Sequence, residues 1–305
     1  MKTTAMMFAV MLVAACVAVP ATASVEGKFE RTFQVSGRVD LEVLTRSGDV
    51  TVRNGPAGSV SIIGKIHVGN RWFSGDRMAD VHEIEKNPPV RQSGNSIHID
   101  YTNYHNIAID YEITAPLETA VRTRTGSGDV TLEGLRGTMD LQSGSGDFRL
   151  RELSGDIRIE TGSGDVRADK IAGPFSARAG SGNIRLEETA SGDVTARTGS
   201  GNVELRGVKG AVRAESGSGD QRVEGTPGGS WSIRTGSGNA ELRVPSEAAF
   251  DLDLSTSSGT VVLDKPVTTT VQGRVEESRR HIEGKVHGGG PLVSVHTGSG
   301  DVHLY

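Results

Sequence analysis

A short glycine-rich motif recurs along the chain at a nearly constant interval. The tetrapeptide Gly-Ser-Gly followed by Asp or Asn occurs seven times between residues 126 and 239 and once more at the end. Its last residues are Asp129, Asp147, Asp165, Asn183, Asn202, Asp220, Asn239 and, finally, Asp301, the first seven at intervals of 18, 18, 18, 19, 18 and 19 residues. An early copy, Ser-Gly-Asp, ends at Asp49. A fixed period this short is typical of stacked repeats and not of an ordinary globular core.

Apolar and polar residues alternate between these turns. Val130 and Leu132 are apolar, for example, where Thr131 and Glu133 are polar. The apolar pairs continue as Met139/Leu141, Phe148/Leu150, Ile157/Ile159, Val166/Ala168, Phe175/Ala177, Ile184/Leu186, Val194/Ala196, Val203/Leu205, Val212/Ala214, Trp231/Ile233 and Ala240/Leu242. A period of two over four or five residues indicates half-buried strands. Two strands per 18 residues predict an all-β fold, a two-sided parallel β-solenoid (β-helix) with about 18-residue coils and irregular β caps.

The regular pattern occupies only the middle of the chain. We expect an irregular β N-terminal part and cap over residues 24–120, regular solenoid repeats over 121–265, and an insertion with a C-terminal closing coil over 266–305. The stretch from Asn70 to Gly94 is predicted to be an insertion or loop. Gln221 is polar at an inward position, and we expect it near an irregular coil or bonded to a turn carbonyl.

Residues 1–23 have the layout of a secretory signal peptide. Lys2 precedes an apolar run, and Ala21-Thr22-Ala23 predicts cleavage before Ser24 and export to the periplasm or the cell surface. The apolar run is shorter than the ~20 residues that a membrane-spanning helix needs, so no transmembrane span is expected in the mature chain. As an alternative, Cys16 follows a loose lipobox and would carry a lipid anchor.

Composition narrows the chemistry that is available. Cys16 is the only cysteine, so cleavage after Ala23 leaves none for disulfides, thiolate catalysis or thiolate metal sites. Removal of Lys2 takes the formal charge from −5 to −6. Without a clustered basic face, nucleic acid is not an expected partner.

Calcium is the main metal alternative, because glycine-rich nonapeptides with Asp bind it in β-rolls. Here Asp follows the second glycine directly, and Asn replaces it at positions 183, 202 and 239. We therefore interpret the Asp and Asn residues as turn caps and expect no metal site and no cofactor.

The eight histidines lie outside the repeat array, residues 126–244. The array therefore lacks a Ser-His-Asp constellation, and no catalytic residue is expected. The histidines are interpreted as isolated surface residues, with His296 and His303 on one side of the final turn as an alternative. Outward carboxylates such as Glu160 and Glu204 alternate with arginines, which is typical of solvated charge ladders.

These features resemble a large family of exported bacterial β-strand-repeat proteins of undefined function, labelled "putative adhesins". The resemblance rests on Ile109-Asp110-Tyr111-Glu112-Ile113-Thr114-Ala115-Pro116, on Thr125-Gly126-Ser127-Gly128-Asp129-Val130 and its iterations, and on the closing segment from Gly288-Gly289-Gly290 to Asp301-Val302. It implies a β-solenoid in the cell envelope and transfers no catalytic residue.

The resulting hypothesis is a non-enzymatic, exported scaffold that binds an envelope protein or a surface glycan. An envelope-stress sensor or regulatory ectodomain is the alternative, and a polysaccharide-acting enzyme is a third hypothesis. Trp72 and Phe73, in the N-terminal insertion, form the candidate binding surface, although the same pair would also suit a cap packed over the first coil.

Overall fold

The computed structural model describes residues 25–69, 77–104, 106–264 and 280–305. The signal peptide, Cys16 and the pair Trp72 and Phe73 lie outside these ranges. Elements before the array are β1 (Val25–Gln34), β2 (Val39–Thr45), β3 (Val50–Asn54), β4 (Ser59–Val68), α1 (Arg77–Lys86), β5 (Val90–Ser93), β6 (Ser96–Ile99), β7 (Ile107–Ala115) and β8 (Thr119–Thr125).

The repeats form short strands of three to nine residues. In chain order these are β9 (Val130–Glu133), β10 (Met139–Ser143), β11 (Phe148–Arg151), β12 (Ile157–Thr161), β13 (Val166–Ile171), β14 (Phe175–Ala179), β15 (Ile184–Glu188), β16 (Val194–Ser200), β17 (Val203–Val208), β18 (Val212–Ser218), β19 (Gln221–Gly225), β20 (Trp231–Ser237), β21 (Ala240–Arg243), β22 (Phe250–Ser258), β23 (Val261–Leu263), β24 (His281–Val286), β25 (Leu292–Ser299) and β26 (Val302–Leu304).

These strands form two sheets of 13 strands each. Sheet A has the order β1-β4-β7-β3-β9-β11-β13-β15-β17-β19-β21-β26-β23, and sheet B has the order β5-β6-β2-β8-β10-β12-β14-β16-β18-β20-β25-β22-β24. Within the array every pairing is parallel and joins each strand to its equivalent in the next coil. The predicted two-sided parallel β-solenoid is confirmed.

The inward side chains stack into continuous columns between the sheets. Met139, Ile157 and Phe175 occupy equivalent positions in successive coils, and all three are buried. In the column next to that of Trp231, the preceding coil carries a small residue, Ala214. The indole N–H of Trp231 donates to the Gly210 carbonyl at 3.0 Å. Large and small residues thus share a core that no single coil could close.

A steric constraint explains why glycine occupies the sharp corner between the sheets. A Cβ atom on Gly164 would lie 1.9 Å from the carbonyl oxygen of Gly146 in the preceding coil, although Gly164 is outside the left-handed backbone region. Unusual backbone angles alone therefore do not explain the corner glycines. At most corners the close approach of stacked backbones excludes a side chain.

The chain does not stack strictly in sequence order at its ends. The coil β2–β3 lies against β8–β9, and the later coil β6–β7 lies outside it. At the other end, β25–β26 lies between β20–β21 and β22–β23, so the last coil in sequence is not the closing coil. The outermost coil is β22–β23, with β24 paired antiparallel at the edge of sheet B.

The stretch predicted to be an insertion or loop contains regular structure. Helix α1 buries Val81 and Ile84, and Glu85 accepts a hydrogen bond from the Lys28 N–H of β1 at 2.8 Å. Residues of β5 pair antiparallel with β6 at the edge of sheet B. The helix has few apolar positions, which is why the sequence pattern did not indicate it.

Gln221 is buried, as its inward position predicts, but its partner differs from expectation. Its amide Nε2 donates to the carbonyl of Arg234, which belongs to a strand of the opposite sheet and not to a turn. The side chain therefore links the two sheets across the core.

Candidate binding surface

The corner Asp and Asn side chains form a hydrogen-bonded ladder along the whole solenoid. We define the corner ladder as Asp49, Asp129, Asp147, Asp165, Asn183, Asn202, Asp220, Asn239 and Asp301. In each case Oδ1 accepts the backbone N–H of the next member at 2.8–2.9 Å. At the ends, Asp49 N–H donates to Asp110 Oδ1 and Thr260 N–H donates to Asp301 Oδ1, both at 2.8 Å. The Asp and Asn side chains do bind turn amides, as predicted, but the amide belongs to the next coil and not to the same turn. Asp and Asn can both take this position because both carry the accepting oxygen.

A buried hydroxyl precedes each of several corners. Oγ of Ser143 accepts the Gly146 N–H at 2.7 Å, and Oγ1 of Thr161 accepts the Gly164 N–H at 3.0 Å. These hydroxyls satisfy amides that the sharp turn leaves without a strand partner. These corners are therefore held from inside by a hydroxyl and from outside by the ladder.

Arginines stack beside the corner ladder on sheet A. Arg149, Arg167 and Arg185 are paired in consecutive coils, and each side chain is more than half exposed. Together with the corner residues of the same coils they line an open groove of about 430 Å³. We call these three arginines the arginine face. With neighbouring strands about 4.8 Å apart, the face presents one guanidinium per coil.

Each guanidinium of the arginine face also contacts an acid. Arg149 contacts Asp129 at 2.7 Å, Arg167 contacts Asp169 at 3.1 Å, and Arg185 contacts Glu204 at 2.7 Å. Burial alone would raise the pKa of Asp129, but hydrogen bonds from Arg149 and from the Asp147 N–H outweigh it and lower that pKa. The surface therefore alternates acidic and basic side chains, and the contact with Arg149 favours the ionised form of Asp129.

Sheet B carries a second groove on the other side of the same corner. Its volume is about 530 Å³, and Arg124, Gln142, Glu160 and Arg178 lie along it in successive coils. Arg178 lies 3.8 Å from Glu160. The corner is thus flanked on both sides by grooves that repeat with the period of the solenoid.

The structure places the histidines differently from expectation. His296 belongs to β25 in sheet B and His303 to β26 in sheet A, so they do not share a face. His281 is not isolated, because its Nε2 lies 3.1 Å from Asp253 Oδ1 and 3.2 Å from Glu283 Oε1. The antiparallel pairing of β24 with β22 creates this cluster, and no repeat period indicates that pairing.

Sequence reasoning missed one buried carboxyl. Glu188 is 4% exposed and lies inside the corner where Ile171 lies in the preceding coil. Burial raises its pKa to about 7. The signal was present, since Ile184, Leu186 and Glu188 share one face of β15.

None of the described helices is both long enough and apolar enough to cross a membrane. No curated protein matches the sequence significantly.

Three solved structures resemble the chain at low sequence identity. A "putative adhesin" from Bacteroides fragilis is 14% identical with a TM-score of 0.42, and the alignment covers 91% of this chain and 97% of that one. A "putative cell adhesion protein" from Clostridium sporogenes is 9% identical with a TM-score of 0.23, covering 91% and 98%. A "putative adhesin" from Parabacteroides distasonis is 8% identical with a TM-score of 0.34, covering 92% and 98%.

The family comparison is more specific than these structural likenesses. The sequence matches the family described as Toastrack DUF4097 over residues 39–187 and again over residues 154–305. The two matches together span the N-terminal coils, the repeat array and the C-terminal coils. The chain belongs to the Toastrack DUF4097 family.

Proposed function

We propose that the chain is a non-enzymatic scaffold of the bacterial cell envelope that binds an acidic surface glycan through the arginine face. The observation that carries this proposal is the stacking of Arg149, Arg167 and Arg185 in consecutive coils beside an open groove. A glycan repeats its own acidic groups, so one chain would contact several coils at once. Such multivalent contact raises affinity without any single strong site.

The acid partners of the arginines are compatible with this role. Arg149 contacts two carboxylates, those of Asp129 and Asp147, whereas Arg167 and Arg185 contact Asp169 and Glu204. A guanidinium has five N–H donors, so these contacts leave donors on each side chain. The three guanidinium groups line an exposed groove that also contains the carboxylates of Asp147, Asp165 and Glu204, so hydroxyls as well as carboxylates of a glycan would find partners there. Asp129, Asp169 and Glu204 hold the guanidinium groups of the arginine face in place, which lowers the entropy lost on binding.

The non-enzymatic part of the proposal rests on how the polar groups are used. The Oδ1 atoms of the corner ladder accept backbone N–H groups, and outward carboxylates such as Glu160 and Glu204 contact arginines. These groups stabilise the stack, whereas a general acid or base needs a side chain that can exchange protons with a substrate.

Export is the second part of the proposal, supported by the sequence of residues 1–23. The intact mass of the protein isolated from its own cells would identify the N-terminus. A chain that begins at Ser24 supports the soluble exported form, and a chain that begins at an acylated Cys16 supports the lipid-anchored form. Retention of Met1 would refute export through this signal.

A binding experiment tests the arginine face directly. The mature chain from Ser24 to Tyr305 would be titrated onto intact bacterial cells and onto their purified acidic surface polysaccharide. A triple variant, Arg149→Ser, Arg167→Ser and Arg185→Ser, should bind at least tenfold more weakly. Added salt should also weaken binding by the native protein.

A matched control separates this face from general positive charge. The triple variant Arg158→Ser, Arg213→Ser and Arg234→Ser removes the same charge from the outer face of sheet B. It should bind within twofold of the native protein. Equal loss in both variants, or binding that disappears after the cells are treated with protease, would refute glycan binding through the arginine face.

A further inference from the structure

A cluster of three potential metal ligands lies on the outer face of sheet B at the C-terminal end of the solenoid. Asp253 is on β22, and His281 and Glu283 are on β24, the antiparallel strand at the edge of the sheet. One nitrogen or oxygen atom from each side chain lies within 4.8 Å of the others. This cluster is separate from the arginine face, which is on sheet A.

The backbone explains why the three side chains converge. His281 and Glu283 are two residues apart and therefore project from the same side of β24. Asp253 is directly opposite Glu283 in the antiparallel pair, where Cβ atoms are about 5 Å apart. Two carboxylates in directly opposite positions disfavour the pairing, and His281 Nε2 lies within 3.2 Å of an oxygen of each.

Two of the three distances between ligand atoms are close to those of a tetrahedral metal site. His281 Nε2 lies 3.1 Å from Asp253 Oδ1 and 3.2 Å from Glu283 Oε1. Zinc bonds to imidazole nitrogen and carboxylate oxygen are about 2.1 Å long, and ligands at the corners of a tetrahedron are then roughly 3.4 Å apart. We propose that Asp253, His281 and Glu283 bind a zinc ion that clips β24 to β22.

The neighbouring groups support the same assignment. Ser294 Oγ donates to Asp253 Oδ2 at 3.4 Å, which leaves Oδ1 directed toward His281. Hydrogen bonds of this kind orient the ligands of metal sites. The side chains of Asp253, His281 and Glu283 are 39%, 50% and 70% exposed, so a metal ion has direct access and water can complete the coordination.

The mixed donor set selects among metals. One imidazole nitrogen with two carboxylates suits Zn²⁺, whereas Ca²⁺ and Mg²⁺ prefer sites made of oxygen alone. The proposal therefore predicts that millimolar calcium does not compete with zinc at this cluster.

Isothermal titration of zinc chloride into the tag-free chain from Ser24 to Tyr305 tests the site. We expect one zinc ion per chain, with affinity reduced at least tenfold in each of the variants Asp253→Asn, His281→Gln and Glu283→Gln. Bound zinc should also raise the melting temperature of the native chain and not that of His281→Gln. All three side chains are on the surface, so far-ultraviolet circular dichroism should show an unchanged β spectrum for the variants.

The matched control is His303→Gln. His303 Nε2 lies 3.0 Å from Asp264 Oδ2 on sheet A, which makes it a histidine–carboxylate pair outside the cluster. This variant should bind zinc as the native chain does. The proposal is overturned if the native chain does not bind zinc, if His281→Gln binds it unchanged, or if His303→Gln weakens binding as much as His281→Gln does.

Discussion

Replacing Glu188 with leucine should stabilise the protein, and more so at high pH than at low pH. Glu188 is 4% exposed, and within the described part of the chain neither carboxylate oxygen makes a hydrogen bond of normal geometry. Burial raises its pKa to about 7, and the favourable influence of Lys209 offsets only part of this effect. Equivalent corner positions in other coils carry Leu153 and Ile171, so the fold accepts an aliphatic side chain there.

The size of the effect follows from linkage. In the unfolded chain the Glu188 carboxyl titrates near its ordinary pKa of 4.5, and in the folded chain it titrates at about 7. Between these values the folded state holds a proton that the unfolded state has released, so stability falls as pH rises through the window and is constant above it. A difference of about 2.5 pH units corresponds to about 3 kcal/mol. Glu188→Leu should therefore gain about 3 kcal/mol more at pH 8.5 than at pH 4.

Urea unfolding at several pH values, followed by far-ultraviolet circular dichroism, would measure this difference. Glu188→Gln removes the charge with little change in volume and should abolish the same pH dependence. Glu187→Gln is the control, because Glu187 is an exposed neighbour on the same strand. If the stability gain of Glu188→Leu were equal at both pH values, or if the variant were less stable at pH 8.5, the carboxyl would not carry the burial cost described here.

Three further substitutions test how the corners are held, each measured by thermal and urea unfolding. Gly164→Ala places a Cβ atom 1.9 Å from a backbone oxygen of the preceding coil and should cost about 3 kcal/mol or more, whereas Ser163→Ala, at an exposed position of the same corner, should change stability by less than about 0.5 kcal/mol. Asp165→Ala removes the acceptor for the Asn183 N–H and should cost about 1 kcal/mol, whereas Asp165→Asn should restore most of that loss; equal loss in both would contradict the ladder. Thr161→Val leaves the buried Gly164 N–H without its hydroxyl acceptor and should cost about 1–3 kcal/mol; a neutral result would show that this amide has another partner.

The repetitive part of the fold was predictable because its physics is local and repeated. Alternation such as Val130 and Leu132 specifies which side of a strand is buried, and a period of 18 or 19 residues specifies which strands pair. The role of the corner Asp and Asn residues also followed from their turn chemistry. Those features recur eight times in the sequence, so one error in a single coil would not have changed the result.

The ends and the isolated sites could not be predicted in the same way. The position of β25–β26 inside β22–β23 depends on long-range pairing that has no period. The approach of His281 to Asp253 depends on one antiparallel register. Glu188 is different. It lies two residues after Leu186 and so on the same face of the strand, which already indicated an inward carboxyl. The Trp72 and Phe73 binding surface remains a prediction, since both residues lie outside the described ranges.

The interleaved coils at the two ends make the length of the rod an adjustable property. The coils β2–β3 and β25–β26 are each covered by a second coil, so the end structures are complete without reference to how many coils lie between them. Each intervening coil contacts only its two neighbours and continues the same glycine corner. Duplication or deletion of one 18-residue unit, such as residues 144–161, would therefore lengthen or shorten the rod by about 4.8 Å and leave both ends unchanged. Gain or loss of whole repeats would let such a protein change its reach and keep its fold.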